Sequence, residues 1–216
     1  EGNVYAAVED RDGTLWVAGE HGLFRRAADG VAEKVALDLK TGKLVAAADR
    51  SDGSLWLGGP AGLSLPQKGV LLDQTERLSK IALKPEPSLS VRALAADPQG
   101  NLWVAGDDVL VRMDPDGSVE RQFPTGPGGG GFGPVLCARN GEVWLVVRGL
   151  GVARRHEGKW TLYRCGQELS DASPMALFED SANSLWVATA GGGVNRFHNG
   201  HWRTYVRRDG LVDDYV

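Results

Sequence analysis

A repeated tryptophan constrains the fold of this chain more than any other feature of its sequence. The segment LWVAG and close variants of it recur along the 216 residues, and the tryptophan always holds the second place. The five tryptophans of this repeat are Trp16, Trp56, Trp103, Trp144 and Trp186. Their spacings are 40, 47, 41 and 42 residues. A period of about 40–45 residues is typical of repeat architectures, in which each unit buries its apolar face against the next.

The first repeat indicates what one unit contains. Short apolar segments alternate with glycine-containing turns, and no long window has the periodicity of a helix. Four strands are predicted at residues 4–10, 15–19, 23–26 and 31–37, with hairpin turns at Asp12-Gly13 and Asp29-Gly30. Four antiparallel strands per unit is the number found in a propeller blade. We therefore predict an all-β chain, a β-propeller of four-stranded antiparallel blades with five repeats.

The repeat boundaries divide the chain into five predicted blades of one propeller domain or of a fragment of one. The approximate blades are residues 1–43, 44–90, 91–133, 134–173 and 174–216. Five blades fit a closed five-bladed ring or part of a larger propeller. An open arc would leave apolar faces exposed at both ends, and a homodimer would cover them.

The repeated tryptophans and the aspartates near turns have structural explanations. A large ring at the same place in every second strand is expected to pack between neighbouring sheets. Asp10, Asp12 and Asp116 lie where aspartate side chains commonly stabilise turns. His198 and His201 flank an outer hairpin and provide too few ligands for a metal. We therefore assign no catalytic residue, no metal site and no cofactor.

Composition excludes several classes of partner. The net charge is −4 and the charged residues are scattered, which argues against nucleic acid and against a basic membrane-binding surface. The longest apolar run, residues 143–147, is too short to span a bilayer. Cys137 and Cys165 do not define a disulfide framework. Free thiols are expected at both, with a bridge as the alternative.

Two segments resemble the two-component regulator propeller repeat. Its pattern is an apolar strand, Glu-Asp, a turn, Leu-Trp, Gly-Leu or Gly-Val, a polar hairpin, an aromatic strand and Asp-Gly-Leu. Residues 176–216 are similar to this pattern almost throughout, and residues 4–26 nearly as closely. Repeat three lacks the glycine before its third strand and resembles equally the virginiamycin-lyase type of blade.

The first resemblance implies a function. Members of that family are the extracytoplasmic sensing portions of bacterial hybrid histidine kinases and related signalling proteins. It implies a periplasmic, non-catalytic module that binds a small molecule, with a saccharide as one expected class. It also implies that a longer protein supplies a β-sandwich, a membrane helix and an output domain, so that the membrane is reached only through flanking segments.

The candidate binding residues come from one set of loops. Propeller ligands usually bind at one mouth of the central channel, which is lined by the loops between second and third strands and by the loops that connect blades. These loops differ sharply from repeat to repeat. We predict ligand-binding roles for Glu20, His21, Asp107, Asp108 and Arg148, and the remaining loops of this set hold Pro60, Ala190 and Gly191.

Two alternative functions remain open. The chain could be a propeller lyase or hydrolase that uses His21 with Glu20 and Asp107, or a platform for protein docking or dimerisation. The glycine-rich segment 125–134 is interpreted as a solvated connector, with a lid as the alternative. The long segment 74–90 is expected to overhang the same mouth.

Overall fold

The computed structural model describes most of the chain as β-structure in two compact units, residues 1–122 and residues 123–216. The described residues are 3–10, 12–27, 30–35, 44–49, 53–60, 62–67, 70–74, 90–122, 131–170 and 173–216. They form five sheets of four antiparallel strands, and the strands of each sheet follow one another in chain order. The all-β prediction of four antiparallel strands per repeat is confirmed.

The first unit contains three of the sheets. The first sheet comprises β1 (Val4–Glu9), β2 (Leu15–Gly19), β3 (Gly22–Arg26) and β4 (Glu33–Lys34). The second comprises β5 (Ala46–Asp49), β6 (Leu55–Gly59), β7 (Gly62–Gln67) and β8 (Val70–Asp73). The third comprises β9 (Val91–Ala96), β10 (Leu102–Gly106), β11 (Leu110–Met113) and β12 (Val119–Gln122).

The second unit contains the other two sheets. The fourth sheet comprises β13 (Phe132–Cys137), β14 (Val143–Val147), β15 (Gly151–His156) and β16 (Lys159–Arg164). The fifth comprises β17 (Pro174–Glu179), β18 (Leu185–Thr189), β19 (Val194–His198) and β20 (His201–Tyr205). One turn of 3-10 helix, Arg207–Asp209, follows the last strand.

Within each unit, adjacent sheets share a hydrophobic core. Leu23 of the first sheet packs with Leu57 of the second, and Trp56 of the second packs with Val91 of the third. In the second unit, Trp144 packs with Leu185, Val187 and Phe197 of the fifth sheet. The core-packing prediction is confirmed most fully at three tryptophans: Trp56, Trp103 and Trp144 are 3%, 1% and 2% exposed. Trp16 and Trp186 are half-buried.

An aspartate six residues before the tryptophan closes the first turn of three repeats. In repeat five, Oδ1 of Asp180 accepts hydrogen bonds from the backbone N–H groups of Ala182 (2.9 Å) and Ser184 (2.8 Å). The other oxygen, Oδ2, accepts the indole N–H of Trp186 at 2.7 Å. The same indole contact joins Trp16 to Asp10 at 2.8 Å and Trp103 to Asp97 at 3.0 Å. One carboxylate thus fixes both the turn and the ring that enters the core.

This carboxylate also stabilises the predicted hairpin turn at Asp12-Gly13. Only Gly13 has a positive φ, of 75°. The turn is closed by hydrogen bonds from Gly13 N to Asp10 O and from Asp10 N to Thr14 O, both 3.0 Å long. Asp10 Oδ1 also accepts the N–H of Asp12 at 3.0 Å. The second turns at Glu157-Gly158 and Asn199-Gly200 do have two positive φ values each, as a two-residue hairpin requires.

The pKa of Asp180 leads to a prediction about pH. The indole N–H of Trp186 and the turn N–H groups lower the pKa of Asp180 from 3.8 to about 2. A carboxyl group whose pKa is depressed by folding stabilises the native state above its unfolded-state pKa and loses that contribution as the pH falls through the folded value. We expect the urea midpoint of the wild-type chain to fall between pH about 4 and about 2. In D180N the urea midpoint should fall less over this pH range. An equal fall in D180N and wild type would contradict the role given to the Asp180 carboxylate.

Glycine before the third strand is required by close backbone contact. A Cβ atom at Gly151 would lie 2.0 Å from the carbonyl oxygen of Tyr163, and a Cβ at Gly193 would lie 2.0 Å from that of Tyr205. No side chain fits at that distance. The Gly-Leu and Gly-Val pairs of the repeat pattern therefore let the fourth strand approach the start of the third.

Several remaining expectations can be placed briefly. Cys137 and Cys165 are half-buried and are not joined by a disulfide. No helix in the described ranges has the length and apolarity needed to cross a membrane. The described residues do not include 75–89 or 123–130. The interpretations of segment 74–90 and of most of segment 125–134 concern those residues.

Candidate ligand-binding site

The predicted site residues of the first sheet lie in the turn between β2 and β3. Glu20 and His21 are exposed and form a two-residue connection between the paired Gly19 and Gly22. The backbone N–H of Glu20 donates to the carbonyl of Asn3 at 2.9 Å, and its carboxylate accepts the N–H of Asn3 at 3.4 Å. The turn is therefore attached to the segment that enters β1.

Asp107 and Asp108 occupy the equivalent turn of the third sheet, between β10 and β11. Both are exposed. The carboxylate of Asp107 accepts a hydrogen bond from Nε of Arg92 at 2.6 Å, and this hydrogen bond raises the pKa of Arg92 above its ordinary value. Arg121 donates to the backbone carbonyl of Asp108 at 3.4 Å. At this turn, a ligand of Asp107 would compete with Arg92.

Arg148 occupies the corresponding turn of the fourth sheet, in the second unit. Its backbone N–H donates to the carbonyl of Gly131 at 2.9 Å, and Gly149 beside it has a positive φ of 72°. The residue lines a cavity of about 360 Å³. We call this the Arg148 cavity; it is lined by Gly133, Pro134, Val146, Arg148, Gly149, Ser173, Pro174 and Met175.

The Arg148 cavity combines apolar walls with one cation. Val146 and Pro174 are buried, whereas Met175 is 50% exposed. Arg148 is the one ionisable side chain among the residues that line it, and no carboxylate in the described part of the chain pairs with its guanidinium. A guanidinium can bind a carboxylate through two parallel hydrogen bonds. This arrangement suits a small molecule that carries an acidic group and an apolar face.

The sequence predicted a residue on one wall of this cavity but none on the opposite wall. The loop between second and third strands pointed to Arg148. The opposite wall, Ser173 to Met175, belongs to the segment that enters the next sheet, a connection between blades in which no particular residue was predicted. In the structure, Asn3 before β1 and Ser173 before β17 occupy equivalent places, and the carbonyl of each accepts a hydrogen bond from the adjacent turn.

The described residues contain no group of three or more His, Cys, Asp or Glu side chains that could hold a metal ion. Glu20, His21, Asp107 and Asp108 belong to the first unit and Arg148 to the second. Their binding roles therefore stay predictions, and the Arg148 cavity is the candidate site that the structure describes in most detail.

Comparison with known proteins supports the repeat family. A model of the two-component regulator propeller matches residues 1–21 and 85–108. A search of curated proteins found no match. The matching segments hold the first turn of repeat one, with Asp10 and Trp16, and the tryptophan strand of repeat three.

Solved structures similar to this chain include extracellular domains of signalling proteins. An extracellular domain assigned to a hybrid two-component system of B. thetaiotaomicron aligns with 98% of this chain and 30% of its own, at 16% identity and a TM-score of 0.77. A second extracellular domain from that organism, assigned to a one-component system, aligns with 100% of this chain and 35% of its own, at 16% identity and a TM-score of 0.64.

They also include a lyase. Virginiamycin B lyase from Staphylococcus aureus, in complex with quinupristin, aligns with 94% of this chain and 70% of its own, at 16% identity and a TM-score of 0.74. At such identities the likeness shows the fold alone. Together with the five four-stranded sheets, it shows that this chain has a β-propeller fold, in which residues 1–21 and 85–108 are similar to the two-component regulator propeller repeat.

Proposed function

We propose that this chain is the non-catalytic, ligand-sensing propeller of an extracytoplasmic signalling protein of the two-component type. The observation that carries the proposal is the Arg148 cavity, which lies at the predicted binding end of the second unit. Its volume of about 360 Å³ falls within the range of roughly 300–1,000 Å³ that is usual for small-molecule sites. The repeat family and the extracellular domains of similar fold support the sensory role and a periplasmic location.

The chemistry of the cavity narrows the ligand class. Arg148 favours a carboxylate, and the walls formed by Pro134, Val146 and Pro174 favour an apolar face next to it. An acidic saccharide such as a uronic acid has both features, since one side of a sugar ring presents C–H groups. The ligand we propose is therefore a small organic acid, with uronates as the leading class.

This proposal predicts a large effect of Arg148→Gln on ligand affinity. We expect D-glucuronate or D-galacturonate to raise the melting temperature of the wild-type chain. At a ligand concentration of 100 times the dissociation constant, the free energy of unfolding should increase by about 2.7 kcal/mol. Loss of a hydrogen bond to a charged group costs roughly 1.5–3 kcal/mol. R148Q should therefore weaken binding by at least about tenfold in isothermal titration calorimetry.

The matched control is Arg208→Gln. Arg208 is an exposed arginine of the 3-10 turn and does not line the cavity, so R208Q should bind the same uronate as tightly as wild type. Equal affinity in R148Q and R208Q would contradict the proposed site. A melting temperature that depends on protein concentration but on none of the acids would favour the dimerisation platform, and turnover of a bound acid would favour the lyase alternative.

A further inference from the structure

A second cavity, of about 250 Å³, lies at the other end of the fourth and fifth sheets. The Arg148 cavity adjoins the start of β13, the end of β14 and the start of β17, whereas this cavity adjoins the end of β13, the start of β14 and the end of β17. We call it the hairpin-end cavity. Its polar lining includes Asn140, Glu142, Arg154, Glu179, Asn183 and His198.

Glu142 is the first of two lining residues that depart from the internal repeat. The equivalent positions, two residues before the tryptophan, hold Thr14, Ser54, Asn101 and Ser184. The side chain of Glu142 is 7% exposed and is held by Arg154, with Nε of the arginine 2.9 Å from Oε2 and a second guanidinium nitrogen on Oε1. Nδ1 of His156 lies 3.0 Å from Oε1. Repeat four thus places a fixed ion pair where other repeats have a short polar side chain.

Asn183 is the second departure. The equivalent turn residues of the other repeats are Gly13, Gly53, Gly100 and Gly141, all with positive φ. Asn183 keeps the same left-handed conformation, with a φ of 57°, although glycine adopts it more readily. The turn itself does not require a side chain there. The asparagine instead adds an amide to the wall of the cavity.

The remaining walls are also held in place. The side chain of Glu179 is 11% exposed. Its carboxylate accepts two hydrogen bonds from Arg139, one from the backbone N–H at 3.0 Å and one from Nε at 3.2 Å. These bonds link the fifth sheet to the first turn of the fourth. His198 is oriented by a 3.0 Å hydrogen bond between its Nδ1 and the hydroxyl of the fully buried Ser184. His198 flanks the outer hairpin of β19 and β20, as predicted, and its imidazole also lines the cavity.

The charges of this lining offset one another. Glu142 is paired with Arg154 and Glu179 with Arg139, so the cavity has no uncompensated ion to select a charged ligand. Its amides and imidazole offer both donors and acceptors. The volume lies below the range of roughly 300–1,000 Å³ usual for drug-sized molecules. From the convergence of Glu142 and Asn183 on this cavity, we propose that it binds a neutral polyhydroxylated molecule no larger than one sugar ring.

The test uses the intact chain and four neutral probes: D-glucose, D-galactose, D-xylose and myo-inositol. We expect at least one of them to shift the backbone amide signals of Asn183 and Gly200 in two-dimensional NMR titrations. Asn183→Gly removes the amide but keeps the turn, because glycine is native at the same place in four repeats. N183G should weaken binding of that probe by at least about fivefold, the effect of one lost hydrogen bond, without lowering the melting temperature.

Glu157→Gly provides the matched control. Glu157 also has a positive φ, of 49°, and lies in an outer hairpin of the fourth sheet outside the cavity lining. E157G should bind the probe with wild-type affinity. The proposal is overturned if none of the four probes shifts these amides, or if N183G binds as tightly as E157G. R148Q separates the two cavities: it should leave the neutral probe unaffected, and loss of that binding in R148Q would assign the probe to the Arg148 cavity instead.

Discussion

Replacement of Trp103 by alanine is expected to lower the free energy of unfolding by about 4 kcal/mol, within the range measured when a buried tryptophan is truncated. The ring is 1% exposed, so its removal leaves a void that the surrounding residues can fill only in part. The indole N–H that Asp97 accepts at 3.0 Å is lost as well. For a chain of this size, about 4 kcal/mol corresponds to a decrease in melting temperature of roughly 8–16 °C. Far-UV circular dichroism during thermal and urea unfolding would measure both quantities.

Two further substitutions separate the contributions to this effect. Trp103→Phe keeps most of the ring volume but removes the donor. Because Asp97 Oδ2 still accepts the side-chain amide of Asn101 at 2.8 Å, we expect W103F to cost only about 1 kcal/mol. Trp16→Ala removes the same ring-to-aspartate contact at a half-buried site and should cost less than W103A. Equal losses in W16A and W103A would show that burial is not the main source of the effect.

Glu142→Ala is expected to cause the second largest loss, roughly 3 kcal/mol, which is the low end of the range for breaking a buried ion pair. Glu142 is 7% exposed and Arg154 is 22% exposed, so the arginine left behind would be only partly solvated. It also lies over the rings of Trp144 and Phe197, at 5.4 and 5.1 Å from their centroids. A guanidinium without its carboxylate would therefore disturb the core between the fourth and fifth sheets.

The pH dependence of this pair follows from its pKa values. Burial alone would raise the pKa of Glu142, but the hydrogen bonds and charge of Arg154 lower it below 4.5. The same hydrogen bonds raise the pKa of Arg154. A carboxyl group with a depressed pKa contributes stability above its unfolded-state pKa. The difference in unfolding free energy between wild type and E142A should therefore be full near neutral pH and should shrink as the pH falls below about 4.

Glu120→Ala is the control for this prediction. Glu120 is 62% exposed and lies 3.4 Å from Arg112, and exposed ion pairs contribute only about 0–1 kcal/mol. A loss in E142A no larger than that in E120A, measured by urea unfolding at neutral pH, would show that Glu142 is not part of a buried pair.

The repeat made the sheets predictable because their signals are local. The spacing of Gly13 and Trp16, repeated along the chain, indicates a turn followed by a core residue, and strands alternate over a few positions. The side chain of Asp10 could have been assigned to Trp16 as well, since Asp97 and Asp180 stand at the same distance before their tryptophans. That regularity was present in the sequence and was missed.

The cavities could not be predicted in the same way. Arg154 reaches Glu142 through the register of β14 with β15, and Arg139 reaches Glu179 across two sheets. Neither distance is encoded by spacing along the chain. The sequence shows that Asn183 replaces the glycine of the other four repeats. It does not show which cavity the asparagine lines, because the packing of one sheet on the next determines that.

Every sheet of this chain pairs each strand with its immediate neighbour in sequence. Short connections of this kind lose little chain entropy when they close, and topologies dominated by them fold rapidly. They also make each repeat a nearly self-contained unit, since its four strands hydrogen-bond to one another. Such a repeat can be duplicated or exchanged, and its loops can diversify, without changing the strand pairing of the other repeats. The pairing order thus allows new recognition surfaces to evolve one blade at a time.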